Sequence, residues 1–88
     1  MKVFRDALHG LYLDARTPTM AAIAQVVRDN DDLPGSPSSD TIDRILRAAT
    51  FPRNVQNVEA VAWALAHLAG GDAPAQQARL RQLWEAAE

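Results

Sequence analysis

Residues 38–47, Ser38-Ser39-Asp40-Thr41-Ile42-Asp43-Arg44-Ile45-Leu46-Arg47, decide how the chain folds. A serine ahead of an apolar-periodic run marks a helix start, because its hydroxyl accepts from an amide that the first turn leaves unpaired. Ile42, Ile45 and Leu46 then fall on one narrow stripe. Asp40, Asp43, Arg44 and Arg47 recur at i, i+3, i+4 and i+7 on the opposite face. The stretch predicts a short helix over 38–49, buried on one side and charged on the other.

Punctuation is dense on both sides of it. Residues 30–37, Asn-Asp-Asp-Leu-Pro-Gly-Ser-Pro, are turn formers apart from Leu33, which is expected to pin the loop to the core. Before that loop, Thr17-Pro18 reads as a cap followed by proline at the first helical position. It predicts a helix from 18 to about 29 with Met20, Ile23, Ala24 and Val27 inward. Residues 3–15 repeat Phe4, Leu8, Leu11, Tyr12 and Ala15 at helical spacing and form a first helix.

After the central helix, Thr50-Phe51-Pro52-Arg53-Asn54 breaks the pattern, and Phe51 is expected to be buried. A fourth helix over about 55–69 puts Val58, Val61, Ala62, Leu65 and Ala69 inward. Gly70-Gly71 ends it. Asp72 and Pro74 restart the chain into a fifth helix, about 73–87, with Leu80, Leu83, Trp84 and Ala87 on one side. Trp63 lies more than about 100° from the Val58–Leu65 stripe at helical spacing. The fifth helix is expected to cover it with Leu80 or Trp84.

Composition narrows the class. The chain has 88 residues, room for one domain over 1–88, complete or an N-terminal piece of a larger protein. Apolar residues make up 48%, enough for a core. Helix formers dominate and no alternating β pattern occurs. There is no cysteine, so disulfides, thiolate metal sites and cysteine nucleophiles are excluded. No apolar run approaches the ~20 residues of a membrane span. The expected fold is all-α, a compact bundle of about five short helices with a helix-turn-helix core, and a cytoplasmic location fits.

Four pieces carry a family resemblance. Thr19-Met20-Ala21-Ala22-Ile23-Ala24 sets a small residue beside an aliphatic one. Ser39-Asp40-Thr41-Ile42-Asp43-Arg44-Ile45-Leu46 follows the Ser-x-Thr-hydrophobic-x-Arg-hydrophobic-Leu pattern of a recognition helix. Pro52, Val58, Val61, Ala64-Leu65 and Gly70-Gly71 complete the order, and Leu83-Trp84-Glu85-Ala86-Ala87 forms the tail. The set resembles the repressor-like (lambda repressor/Cro superfamily) helix-turn-helix domain. More narrowly, it resembles a divergent actinobacterial branch at the N-termini of regulators and multidomain signalling proteins. Two features depart from that plan. The 30–37 connection is about twice the usual turn of ~3–4 residues. Asp40 and Asp43 also occupy positions where base-reading residues are expected.

The resemblance implies a transcriptional regulator that sets its third helix in the major groove of duplex DNA. Ser39, Thr41, Arg44 and Arg47 would make the contacts, and Arg53 would bind phosphate. The net charge of −2 implies weak binding by an isolated domain, since phosphate contacts supply most of the affinity. A homodimer or fused domains would add contacts. Pairing of Asp40 with Arg44, and of Asp43 with Arg47, is the plainer use of those charges. The alternative function is a protein–protein interaction adaptor of a signalling or defence protein, favoured by the acidic run Asp29, Asp31 and Asp32. No nucleophile–base pair, carboxylate dyad or phosphate loop occurs, so no catalysis and no cofactor are expected. His9 and His67 read as surface or boundary residues, with His67 near Trp63, and no metal is expected.

Overall fold

The computed structural model describes residues 2–47 and 53–87. Five helices follow one another: α1 Lys2–Asp14, α2 Met20–Arg28, α3 Ser39–Arg47, α4 Val55–Leu68 and α5 Ala73–Ala87. No strand occurs among the described residues. No helix there is long and apolar enough to cross a membrane. The all-α bundle is therefore as expected. Burial of Phe51 and a continuation of the third helix over 48–49 fall outside the described residues.

α4 organises the bundle. Val58, Ala60, Val61, Ala62, Ala64, Leu65 and Ala66 are all buried, so this helix is enclosed around most of its circumference. α5 packs along it most extensively and contributes Leu80 to the core, with Leu83, Trp84 and Ala87 partly buried against it. α1 contributes Phe4, Leu8 and Leu11, α2 Ile23, Ala24 and Val27, and α3 Ile42 and Ile45. One contiguous cluster unites all five helices.

The helix starts follow capping chemistry. Asn54 Oδ1 accepts from the amides of Gln56 and Asn57, and Asp72 Oδ1 accepts from that of Ala75. The second helix departs from expectation. Thr19, not Thr17, caps it, its Oγ1 accepting from the Ala22 amide at 3.0 Å. Pro18 therefore precedes the cap and the helix begins at Met20. Thr17 is unable to serve because the chain at Arg16 and Thr17 is left-handed, with φ of 64° and 47°, whereas a capping residue needs extended backbone.

Two other expectations on α4 are corrected. Ala69 is exposed as the helix C-cap, because the chain turns away at Gly70 with φ 74°. Trp63 is half-buried and stacks on His67, with ring centroids 5.1 Å apart, outside the core cluster that takes in Leu80 and Trp84.

Candidate nucleic-acid interface

α3 is nine residues long and held at its start. Ser38 Oγ accepts from the Thr41 amide at 3.3 Å and lies 3.2 Å from the Thr41 hydroxyl. The helix is anchored below by Ile42 at 0% and Ile45 at 5% exposure. Its outward ridge consists of Asp40, Arg44 and Arg47, with Asp43 beside it. Arg47 Nε donates to Asp43 Oδ1 at 2.8 Å, so that expected pair forms. The other one does not, because no ion pair joins Asp40 to Arg44.

The proposed contact residues are thus only partly brought together. Arg44 and Arg47 share the outward ridge, and both are exposed. Ser39 and Thr41 are half-buried. Two residues apart on a helix, they sit on opposite flanks of that ridge. The Thr41 hydroxyl is already engaged with Ser38. Arg53 is exposed just ahead of the Asn54 cap of α4.

The long connection between α2 and α3 is fixed to the bundle. Leu33 is partly buried against the core and Pro37 is buried. Gly35 lies so close to α4 that a Cβ there would stand 2.7 Å from the Gln56 carbonyl oxygen and 2.8 Å from Asn57 Oδ1. Anchored at these residues, the loop leaves Asp31 and Asp32 exposed, with Asp29 held by Gln25 Nε2 at 2.8 Å. Negative charge therefore gathers before α3 and over its first turn, whereas the cations lie on its second half.

A cleft of about 470 Å³ separates the second half of α3 from the start of α1. Ile45 and Leu46 line one wall, and Lys2, Arg5, Asp6, Leu8 and His9 line the other. Two α1 cations, with the Asp6 carboxylate between them and His9, therefore border α3 on the same half as Arg44 and Arg47.

One polar site was not foreseen. Glu59 is 6% exposed between α4 and α5. Gln77 Nε2 donates to its Oε1 at 3.4 Å, and Arg81 lies 3.5 Å from its Oε2. Arg81 also donates to Glu85 at 2.8 Å. The Glu85 hydrogen bond, then the charges of Glu59 and Glu85, hold the Arg81 guanidinium above its ordinary value. It stays charged, and the cluster ties α5 to α4. The available signal was a glutamate inside an apolar run, with Gln77 and Arg81 one turn apart on the next helix.

Comparison with protein families, with curated proteins and with solved structures returns no match.

Proposed function

We propose that this is a weak DNA-binding domain of the repressor-like helix-turn-helix type, working in the cytoplasm on duplex DNA. The observation that carries the reading is the capped α3, buried through Ile42 and Ile45 and turning Arg44 and Arg47 outward. Inserted in a major groove, that ridge would bring both guanidiniums to phosphates or guanine edges, with Arg53 as a third cation. The Asp43–Arg47 pair is no serious obstacle. Its arginine side chain is 81% exposed, and solvated pairs contribute little, so a phosphate can displace Asp43 at small cost. Asp40 is the larger objection, since it meets phosphate only with repulsion.

Fluorescence anisotropy with random duplex at about 50 mM salt tests the reading. With about three cations on phosphate, log affinity should fall against log salt with a slope near −2 to −3. The double variant Arg44→Glu, Arg47→Glu should weaken binding to every duplex and flatten that slope by roughly two units. Circular dichroism of the variant controls for folding. Absence of a complex at high micromolar protein would sink the proposal for the isolated domain.

A second reading is supported by different residues. Asp29, Asp31, Asp32 and Asp40 are exposed together ahead of α3 and on its first turn, and Trp63 is half-buried against an exposed His67. An acidic surface and an accessible indole suit a protein partner. In this adaptor reading, no DNA binding occurs even in low salt.

A further inference from the structure

Glu59 is the single buried charged side chain among the described residues. A carboxylate withdrawn from water is compensated only by close, well-aligned partners. Here Gln77 Nε2 and Arg81 Nη1 stand off at 3.4 and 3.5 Å. The Arg81 side chain is 55% exposed and makes its shorter bond, 2.8 Å, to Glu85. The cluster is thus a weak source of stability, but a precise source of position. Glu59 shares one arc of α4 with Ala62 and Ala66, both buried. Their methyl groups form a shallow surface that resists sliding little. On α5 the one large buried side chain is Leu80, flanked along one edge by Gln77 and Arg81. Leu83, one turn on, has the same volume as Leu80.

We infer that Glu59 is a register key, whose buried carboxylate admits one seating of α5 along α4 and excludes the neighbouring ones. The inference does not depend on DNA binding. Slid so that Leu83 takes the place of Leu80, α5 would keep a leucine in the core. Leu80 and Trp84 would then occupy the places of Gln77 and Arg81, leaving the carboxylate buried without a donor. Slid one residue further, Trp84 would take the place of Leu80 and Glu85 that of Arg81. Carboxylate would then face carboxylate. In the reverse direction Gln76 or Gln77 would take the place of Leu80 and bury an amide. The first turn of α5 buries only Ala73, so it can unwind to permit such slides. The observed seating alone gives Glu59 both donors. A buried polar group used in this way fixes register at a cost in stability.

Two-dimensional NMR of three variants, with their melting temperatures, tests the key. Glu59→Met removes the charge and keeps the length. It should melt no lower than the parent, yet show doubled or exchange-broadened signals for the Trp84 indole and the amides of α5, while α2 and α3 keep single ones. Glu59→Gln keeps a polar group that requires a partner and should keep one sharp set. Arg81→Met leaves the carboxylate with Gln77 alone. It should melt lower and still show one set, because every slid seating is worse. A cluster that merely stabilises behaves otherwise: Glu59→Met and Arg81→Met would both melt lower, each with a single set. One sharp set of α5 signals in Glu59→Met, a clear fall in its melting temperature, or doubling in Glu59→Gln would each overturn the inference.

Discussion

Arg16 and Gly70 do the same work with opposite suitability. In both places the chain leaves a helix through a left-handed residue. The Gly70 amide donates to the His67 carbonyl at 3.1 Å and the Gly71 amide to that of Ala66 at 2.9 Å. After α1 the pattern repeats, with the Arg16 amide on Leu13 at 2.9 Å and the Thr17 amide on Tyr12 at 3.0 Å. This paired termination favours glycine at the left-handed position, yet α1 uses an arginine with φ 64°. A side chain costs roughly 1–2 kcal/mol there, partly offset by glycine's freer unfolded state. Arg16→Gly is therefore expected to raise stability by about 0.5–1 kcal/mol. Gly70→Ala should lower it by about 1 kcal/mol although its methyl would touch nothing. Urea titrations of the two variants check both signs, and a fall in the denaturation midpoint for Arg16→Gly would contradict the argument.

At the scale of the element, caps decide where helices begin. Thr19→Ala should cost about 1 kcal/mol by freeing the Ala22 amide. Thr17→Ala should stay within about 0.5 kcal/mol of the parent, since its hydroxyl caps no helix. Thermal melts of the pair separate the two assignments, and equal losses would put the cap in doubt. The sequence carried most of this level openly. Periodicity located all five helices, because Phe4, Ile23, Ile42 and Val58 each repeat with buried neighbours one turn away and Leu80 with the partly buried Leu83 and Trp84. A serine cap at Ser38 or Ser39 was legible from its place before an apolar run, and the coordinates single out Ser38. Thr17 misled because a Thr-Pro pair looks like a helix start whichever way the backbone turns, and left-handed geometry at a non-glycine leaves no compositional trace. Gly35 and Glu59 were illegible for a different reason. Their roles are set by α4 and α5, distant in sequence, and local pattern is silent about what crosses above a residue. The candidate interface was read at the same depth. The outward placement of Arg44 and Arg47 follows from helical spacing, whereas the engagement of Thr41 with Ser38 needed coordinates.

For the whole molecule, the small core makes each large side chain expensive to lose. Leu80 is fully buried and joins α5 to the other helices. Leu80→Ala should cost about 2–5 kcal/mol, enough to unfold much of so small a domain. Trp84 is only half-buried, so its truncation should cost less, about 1–3 kcal/mol. Calorimetry of the two variants ranks them, and a larger loss at Trp84 would show that α5 is anchored by its end instead of its middle.

The enclosure of α4 also has a meaning in time. Local opening exposes first what few apolar contacts hold. α3 keeps two buried side chains and α4 keeps seven apolar ones. Amide protons of α4 should thus exchange with solvent slowest, and those of α3 far sooner, by partial openings that leave the α4–α5 pair closed. The ridge that carries Arg44 and Arg47 rides on an element held by far fewer buried side chains than α4. A partner that captures it would slow exchange at α3 more than anywhere else, leaving a footprint readable without knowing the partner.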